Sequence, residues 1–185
     1  MTEYIPIGND CSLAYNLQKL NLRKNAYPFD WIRLNNLDDL INILSNDFND
    51  FIDRELLNIN ELSDKFPCLE DDWSDEISKN IIIKHNKYSV IFPHEIKSDK
   101  DIVNEIDNFI KKYERRINRF RRIILDKDIK KVFVRISNKT EDISKLDNFL
   151  KTKCDNYEIK FIKLDKKNKF SSWKKEELDW NKIYI

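Results

Sequence analysis

The sequence predicts an α/β protein of one domain, in which a central mixed and partly parallel sheet is flanked by helices. Late in the chain, strand-like segments at 131–136 (KVFVRI) and 157–164 enclose a helical segment at 140–153. Strands joined by such a crossover helix pair in parallel, inside a sheet that helices cover. This succession is the main reason for predicting the fold class.

Two further patterns support this prediction. Apolar residues recur at three- and four-residue spacing over 36–57 and 99–125, which predicts two amphipathic helices. The stretch NIIIKHNKYSVIFPHEI at 80–96 predicts two strands joined by a polar turn. The acidic stretch at 58–79, between the first of these helices and the two strands, is predicted to be irregular. The polar tail from 166 to 185 contains two tryptophans, so we expect it to dock on the single domain formed by residues 1–185.

Composition excludes several classes of function. The 185 residues include 34 basic and 33 acidic side chains, for a net charge of +1, so long-range attraction to nucleic acid or to an anionic membrane is not expected. No apolar run reaches transmembrane length and the N-terminus is too polar for a signal peptide, which predicts a cytoplasmic protein. Three cysteines, no CxxC and two histidines make a metal site improbable, and we expect no metal or organic cofactor.

The first candidate for chemistry is Cys11, within the stretch IPIGNDCSLAYNL. The stretch predicts a strand over 3–7, a turn that contains the only glycine, Gly8, and a helix over 12–20. A thiol at a helix N-terminus has a lowered pKa, and the free N–H groups there, together with the side chain of Asn9, could stabilise an oxyanion. The alternative is that Cys11 is a small buried residue that fills a gap under the helix.

A cysteine nucleophile needs a base, and the chain offers two histidines. His85 falls in the predicted polar turn, where we expect it to be exposed. His94 ends an apolar strand, so it is the candidate base, although a histidine at the rim of a sheet can simply satisfy a backbone carbonyl. A third group that orients the imidazole could be Asn138, Asp155 or Asp30, and the sequence leaves this choice open.

Two other segments contain candidate substrate-binding residues. In the segment PFDW, Asp30 and Trp31 could line a cleft beside Cys11, or the aromatic residues could only anchor the loop to the core. Arg135 lies inside an apolar strand, where an unpaired charge is costly, so we expect it to pair with a carboxylate near the site.

One segment invites a different interpretation. Residues 111–122 (KKYERRINRFRR) contain seven basic side chains interleaved with aromatic ones, a pattern typical of nucleic-acid binding. Its aromatic residues fall on the predicted buried stripe of the helix, which favours a solvated basic face paired with the acidic stretch at 70–76. Nucleic acid is therefore an unlikely partner.

Several of these motifs together resemble the putative papain-like cysteine peptidase family, which occurs in bacteria and large DNA viruses. The resemblance spans roughly residues 3–136 and rests on four stretches: IGNDCSLAYNLQKLNLRKNAYPFDWI, YSVIFPH, YERRINRF and VFVRI. It implies Cys11 as nucleophile, His94 as base and a protein or peptide substrate. A papain-like α+β fold becomes the alternative architecture, and the host cytoplasm the location if the protein is viral.

The chain also departs from authentic papain enzymes. No glutamine precedes Cys11 to supply the usual oxyanion donor, so Asn9 would take that role. In the family that the chain resembles, an aspartate more often follows the histidine, where this chain has Glu95. Deamidation, acyl transfer or thioester hydrolysis would use the same pair of residues. A non-catalytic, viral protein-binding factor that keeps the fold is the main alternative function.

Overall fold

The protein is described by a computed structural model that covers residues 1–63, 80–97, 101–165, 170 and 172–184. The strands are β1 (Thr2–Pro6), β2 (Arg33–Leu34), β3 (Leu57–Ser63), β4 (Asn80–His85), β5 (Val90–Lys97), β6 (Lys130–Ser137) and β7 (Tyr157–Lys163). The helices are α1 (Ser12–Lys19), α2 (Leu37–Ser45), α3 (Ile102–Leu125), α4 (Ile143–Lys151) and α5 (Trp180–Tyr184), with a short 3-10 helix at Arg54–Leu56.

The strands form two sheets. In the described part of the chain, one sheet is parallel with the order β1-β6-β7, and the other is antiparallel with the order β2-β5-β4-β3. The predicted α/β class, with parallel pairing across the crossover helix α4 and helices flanking the strands, is confirmed. The parallel and antiparallel strands lie in separate sheets, because no pairing joins β1, β6 or β7 to β2 in these described residues.

The predicted hairpin is also confirmed. Strands β4 and β5 pair antiparallel, with Ile83 opposite Phe92. Strand β3 then extends the sheet by pairing with β4, in a segment that the sequence indicated as irregular. Most of that segment, 64–79, lies outside the described residues.

The predicted helix over 36–57 is wrong in its length. Helix α2 ends at Ser45, because Asp47 and Phe48 adopt left-handed backbone conformations with φ of 48° and 61°. The N–H of Phe48 then donates to the carbonyl of Ile43 at 2.9 Å, a bond that closes the end of the helix. The apolar spacing continued past this turn because Phe48 and Phe51 remain buried on the same side of the chain.

The main core lies between helix α3 and the two sheets. Aromatic rings fill it, and neighbouring rings lie at centroid distances between 4.6 and 6.4 Å. Members of this aromatic cluster are Tyr27, Phe29, Phe48, Phe51, Phe92, Phe109, Tyr113 and Phe120. Such rings bury large areas and interact edge to face, so the cluster holds β5 and the segment before β2 at fixed positions.

A second, smaller core lies under α1. Leu13 and Leu17 of α1 pack with residues of β6 and with Trp180 and Tyr184 of α5. The hydroxyl of Tyr4 also donates to the carbonyl of Tyr184 at 2.9 Å. Residues 172–184 therefore contact the body of the protein, whereas residues 166–169, 171 and 185 of the predicted docked tail lie outside the described residues.

Candidate functional site

Cys11 lies immediately before α1, beyond the end of β1. Its side chain is 6% exposed and packs with Ala14 and Trp31, while Tyr15 and Trp173 pack against the edge of this group. Trp31 of the PFDW segment belongs to the same small cluster as Cys11. Cys11 is thus a buried thiol held between the first helix and an aromatic wall.

Burial controls the ionisation of this thiol. Burial, as the larger cause, and the charge of Asp10 together raise the pKa of Cys11 to about 12, against the opposing charges of Arg33 and Lys175. The expectation of a lowered pKa is therefore wrong for this arrangement, because loss of hydration outweighs the effect of the helix N-terminus. At neutral pH the group is a thiol.

His94 is the second member of the site. It lies on β5 and is 5% exposed, with its ring centroid 6.5 Å from that of Trp173. The neighbouring residue, Glu95, points to the opposite face of the strand, as alternation requires. There its carboxylate accepts a hydrogen bond from the Tyr113 hydroxyl at 2.8 Å and pairs with Lys112 at 2.8 Å. Helix α3 therefore holds β5 from behind, and His94 faces the tail.

Glu95 is ionised despite its burial. Burial alone would raise the pKa of Glu95, but the charges of Arg116 and Lys112 lower it below its usual value. Arg116 lies 3.5 Å from the carboxylate, and its guanidinium also lies over the Tyr113 ring. Glu95 is thereby committed to anchoring α3, and the residue after the histidine acts as a positioning residue.

His85 is excluded as the base. Contrary to the expected exposure, it is buried, its Nδ1 accepts the N–H groups of Lys87 and Tyr88, and its Nε2 lies 2.8 Å from the carbonyl of Asp50. Since Nδ1 accepts, the proton must be on Nε2, which donates to the carbonyl. This imidazole is neutral and closes the β4–β5 turn.

We expect His85 to make the protein less stable in mild acid. Burial lowers the pKa of His85, so the unfolded chain takes up a proton that the folded protein resists. The contribution of His85 to the free energy of unfolding is therefore fully present above the unfolded pKa of about 6.5. It is lost as pH falls towards the lowered folded pKa, by at most about 1.4 kcal/mol per pH unit. Urea unfolding between pH 7.5 and 5 measures it. His85→Gln should flatten this slope. Equal slopes in wild type and His85→Gln would contradict the assignment.

A polar cleft opens beside the Asn9–Asp10 turn, and neither Cys11 nor His94 is among the described residues that line it. It has a volume of about 370 Å³ and lies beyond the ends of β1, β6 and β7. The predicted residues Asn9 and Asn138 both line it, with Asp10 and Lys175. Crevices at the carboxyl ends of parallel strands are common binding sites in α/β proteins. The roles of Asn9 as oxyanion donor and Asn138 as third catalytic residue stay predictions.

Asn9 is already partly engaged. Its φ is 76°, and its side-chain Nδ2 donates to the carbonyl of Ile136 at 2.5 Å. A side-chain amide has two N–H donors, so this bond uses one of them. It also ties the turn before Cys11 to the end of β6.

Asp30 and Arg135 are deeply buried. Asp30 pairs with Arg23 at 2.5 Å and accepts the N–H of Tyr27, while burial raises its pKa against the opposing charges of Arg23 and Arg116. These bonds hold the PFDW loop closed on itself. The substrate-binding role of Asp30 and Trp31 stays a prediction.

The expected carboxylate partner of Arg135 is confirmed. The guanidinium is 0% exposed and makes two bonds to Glu141, at 2.6 and 2.7 Å. It also donates to the carbonyls of Ile7 and Leu34. Arg135 therefore joins β1, β2 and the segment after β6 just below the cysteine turn. Its substrate-binding role stays a prediction beside this positioning role.

The local geometry at Gly8 explains why the only glycine of the sequence stands just before the cysteine. The φ of Gly8 is +82°, and a Cβ there would lie 2.9 Å from the Cβ of Leu34. Both the left-handed conformation and the close approach require glycine. The glycine lets the chain turn from β1 into the Asn9–Cys11 segment against β2.

Replacing Gly8 with alanine is therefore expected to destabilise the protein. The left-handed backbone and the overlap with Leu34 should together cost about 2–4 kcal/mol. Urea denaturation of Gly8→Ala measures the loss. Asn21→Ala is the matched control, because Asn21 has a φ of 56° on an exposed turn. A loss for Gly8→Ala no larger than that for Asn21→Ala would contradict the close contact.

Asp155 cannot join the site. It precedes β7, and β7 runs parallel to β1 and β6. It therefore lies at the amino end of the sheet, where it pairs with Lys127 at 3.4 Å, whereas Cys11 lies beyond the carboxyl end. The expectation that Asp155 reaches the site is wrong for this topological reason.

Several basic side chains of the 111–122 segment on α3 bond to other groups of the same chain. Besides the Glu95 pairs of Lys112 and Arg116, Arg119 donates to the carbonyl of Ala26 and Arg121 pairs with Asp47. The acidic stretch at 70–76 that we expected as its partner lies outside the described residues. These contacts favour the structural interpretation of the segment.

Trp173 is the functional residue that sequence reasoning missed. Its ring packs against the Cys11 group, lies 5.3 Å from Tyr15 and also faces His94. The only sequence signal was a tryptophan in a polar tail, and nothing local indicated where it docks. Among the described residues, no helix is long and apolar enough to cross a lipid bilayer, and no three acidic, histidine or cysteine side chains are grouped to hold a metal ion.

The fold and site together define an α/β protein in which one tryptophan packs against the cluster around a cysteine beyond a parallel strand and faces a histidine on the adjoining sheet. The chain belongs to the putative papain-like cysteine peptidase family, whose model matches residues 2–167. It is similar to the uncharacterized protein R408 of Acanthamoeba polyphaga mimivirus, with 29% identity over all of this chain and 97% of that protein. No solved structure matches the chain significantly.

Proposed function

We propose that this protein is a thiol hydrolase or acyltransferase, with Cys11 as nucleophile and His94 as general base. Its substrate would be a peptide, amide or thioester carbonyl in a protein or peptide. The observation that carries the proposal is the position of Trp173, which contacts the Cys11 group and faces His94. Membership of a peptidase family adds to it.

The chemistry follows from these two side chains. The imidazole of His94 takes the thiol proton as Sγ attacks the carbonyl carbon, and the oxygen becomes an oxyanion. The remaining N–H of Asn9 and N–H groups at the start of α1 are the proposed oxyanion donors. When the bond to the leaving group breaks, that group takes the proton from the imidazolium. Water, deprotonated by His94, then cleaves the acyl–sulfur bond to release the acid and the thiol.

Detection of the acyl-enzyme tests the proposal. We would incubate the protein with a panel of acyl thioesters and peptide anilides and follow its intact mass. The expected result is an adduct of acyl mass on Cys11 that hydroxylamine removes and that Cys11→Ala lacks. If adducts form equally on Cys11→Ala, or on no residue for any member of the panel, the proposal is wrong.

A non-catalytic binding factor is the second candidate. The observation that favours it is the burial of Cys11, which keeps the thiol protonated. Such a factor would give no adduct under any condition in the same panel, including after removal of Trp173. The two candidates are therefore separated by one experiment.

A further inference from the structure

The tail segment Trp173–Lys175 lies across the beginning of α1 through three different kinds of contact. The Trp173 ring packs against Cys11, Ala14 and Trp31. The carbonyl of Lys174 accepts a hydrogen bond from the Asn16 side chain at 2.8 Å. The first contact is apolar and the second is made by the backbone. Peptide-binding sites generally use both kinds, one to recognise a side chain and one to hold the main chain.

The third contact is ionic. The ammonium of Lys175 pairs with the carboxylate of Asp10, and both are largely shielded, with 11% and 28% of their side chains exposed. The other oxygen of Asp10 accepts the N–H of Ser12, so the turn before α1 holds the carboxylate in place. Lys174 adds a cation–π contact, with its ammonium 5.5 Å from the centre of the Tyr15 ring.

The polar groups of Asp10 and Asn16 would each lose a bonding partner if the tail segment left. Asn16 is 2% exposed, and its amide nitrogen donates to the carbonyls of Ser12 and Lys174. Without Lys174, one N–H of this buried amide would lose its acceptor, which is costly. Asp10 would lose its cation at the same time, and the apolar face around Cys11 would be exposed to water.

The segment can leave without losing its anchor. Trp180 and Tyr184 are 6% and 1% exposed and pack with Leu13 and Leu17 in the second core. Lys160 also donates to the carbonyls of Ile183 and Tyr184. Helix α5 therefore has anchors of its own in the second core. The Trp180 indole also donates to the carbonyl of Lys175 at 2.8 Å, so the Trp173 ring, the Lys174 carbonyl and the Lys175 ammonium would have to leave while Trp180 stays packed.

We propose that the surface formed by Asp10, Cys11, Ala14 and Asn16 with Trp31 is a binding site for a peptide that carries an aromatic residue and, two residues later, a lysine. The chain's own Trp173–Lys175 occupies this peptide site in the resting protein and covers the thiol. The ligand class follows from complementarity, because only a peptide of this chemistry supplies the ring, the carbonyl and the cation together. This inference rests on the proposed function only in that the covered residue is its nucleophile.

Competition between the tail and an added peptide tests the inference. The probe is a fluorescent peptide of residues 172–178, SWKKEEL. It is titrated into wild type and into Trp173→Ala/Lys175→Met, both in a Cys11→Ser background. Because an internal competitor reduces apparent affinity, the double variant should bind the peptide at least about tenfold more tightly than wild type. The same peptide should not bind when alanine replaces its tryptophan and methionine replaces its second lysine, which corresponds to Lys175.

Alkylation of Cys11 by iodoacetamide gives a second readout. With Cys11 retained, the double variant should react at least about tenfold faster than wild type, since it lacks a charge-assisted bond and the covering ring. Saturating SWKKEEL should slow it again. Lys182→Ala, a change of an exposed lysine on α5, is the matched control and should react like wild type. Equal rates in double variant and wild type, or equal binding, would overturn the inference.

Folding of the double variant is checked by its thermal unfolding. If it does not fold, the single change Lys175→Met replaces it, because Trp173 then keeps its packing while the ion pair is lost. Failure of peptide binding with a normal acyl adduct on Cys11 would remove this inference and leave the proposed function. Peptide binding without any adduct would do the opposite.

Discussion

Replacing Arg135 with methionine is expected to lower the free energy of unfolding by about 3–5 kcal/mol, because it removes one partner of a buried ion pair. Glu141 would keep a carboxylate without its cation, and the carbonyls of Ile7 and Leu34 would lose their donor. Urea denaturation at pH 7 measures the loss through the midpoint at constant m-value.

The double variant Arg135→Met/Glu141→Met separates the two contributions. It removes the unpaired charge but leaves the two carbonyls unsatisfied, so it should recover only part of the stability. Lys145→Met is the matched control, because its pair with Asp38 is exposed and should be worth less than about 1 kcal/mol. A loss below that value for Arg135→Met would show that Arg135 does not hold the strands together.

Replacing His94 with alanine is expected to slow acylation of Cys11 by about 10²–10⁴-fold, the usual contribution of a general base. The raised pKa of Cys11 makes this dependence stronger, because a protonated thiol needs a group to take its proton. The rate is followed by intact mass with whichever acyl donor of the panel reacts with wild type. Added imidazole should restore part of the rate.

The other histidine provides the control for this experiment. His85→Gln changes a buried histidine whose ring nitrogens bond to backbone groups, namely the N–H groups of Lys87 and Tyr88 and the carbonyl of Asp50. It should acylate like wild type at pH 7.5. If His94→Ala acylates within about twofold of wild type, or if both histidine variants lose the same amount, His94 is not the base.

Local patterns predicted most elements of the fold. The apolar stripe of α3, the hairpin of β4 and β5, and the β6-α4-β7 unit all follow from spacing between near neighbours in the chain. The helix predicted at 36–57 failed because the same apolar spacing continues through a left-handed turn at Asp47 and Phe48. Separation of the strands into two sheets depends on pairing between distant residues, which periodicity does not report.

The sequence was sufficient to propose the residues of the candidate site, but not to predict their burial or the pKa of Cys11. Gly8, Cys11 and His94 were identified from residue type and position, and the carboxylate partner of Arg135 from the cost of an unpaired charge. The pKa of Cys11 was predicted in the wrong direction because burial depends on Trp173, a distant residue. The exposure of His85 was wrong because three backbone groups converge on its ring.

These observations describe a buried, protonated thiol at Cys11 that packs with Trp31 and lies under Trp173. A thiol with a pKa near 12 reacts slowly at neutral pH, so the proposed activity would require the proton to be taken by His94, the cover to be removed, or both. The contacts of Trp173 and Lys175 are the ones that must change. The proposed catalysis and the proposed peptide site therefore depend on the same few side chains.

The alkylation rate of Cys11 as a function of pH tests the central claim, which is that Cys11 and His94 act as a pair. The rate would be measured with and without His94→Ala, in wild type and in Trp173→Ala. The account predicts that Trp173→Ala shows a reactive branch below pH 8.5, the usual thiol pKa being about 8.5, and that His94→Ala abolishes this branch. Identical pH profiles with and without His94, in both backgrounds, would contradict it.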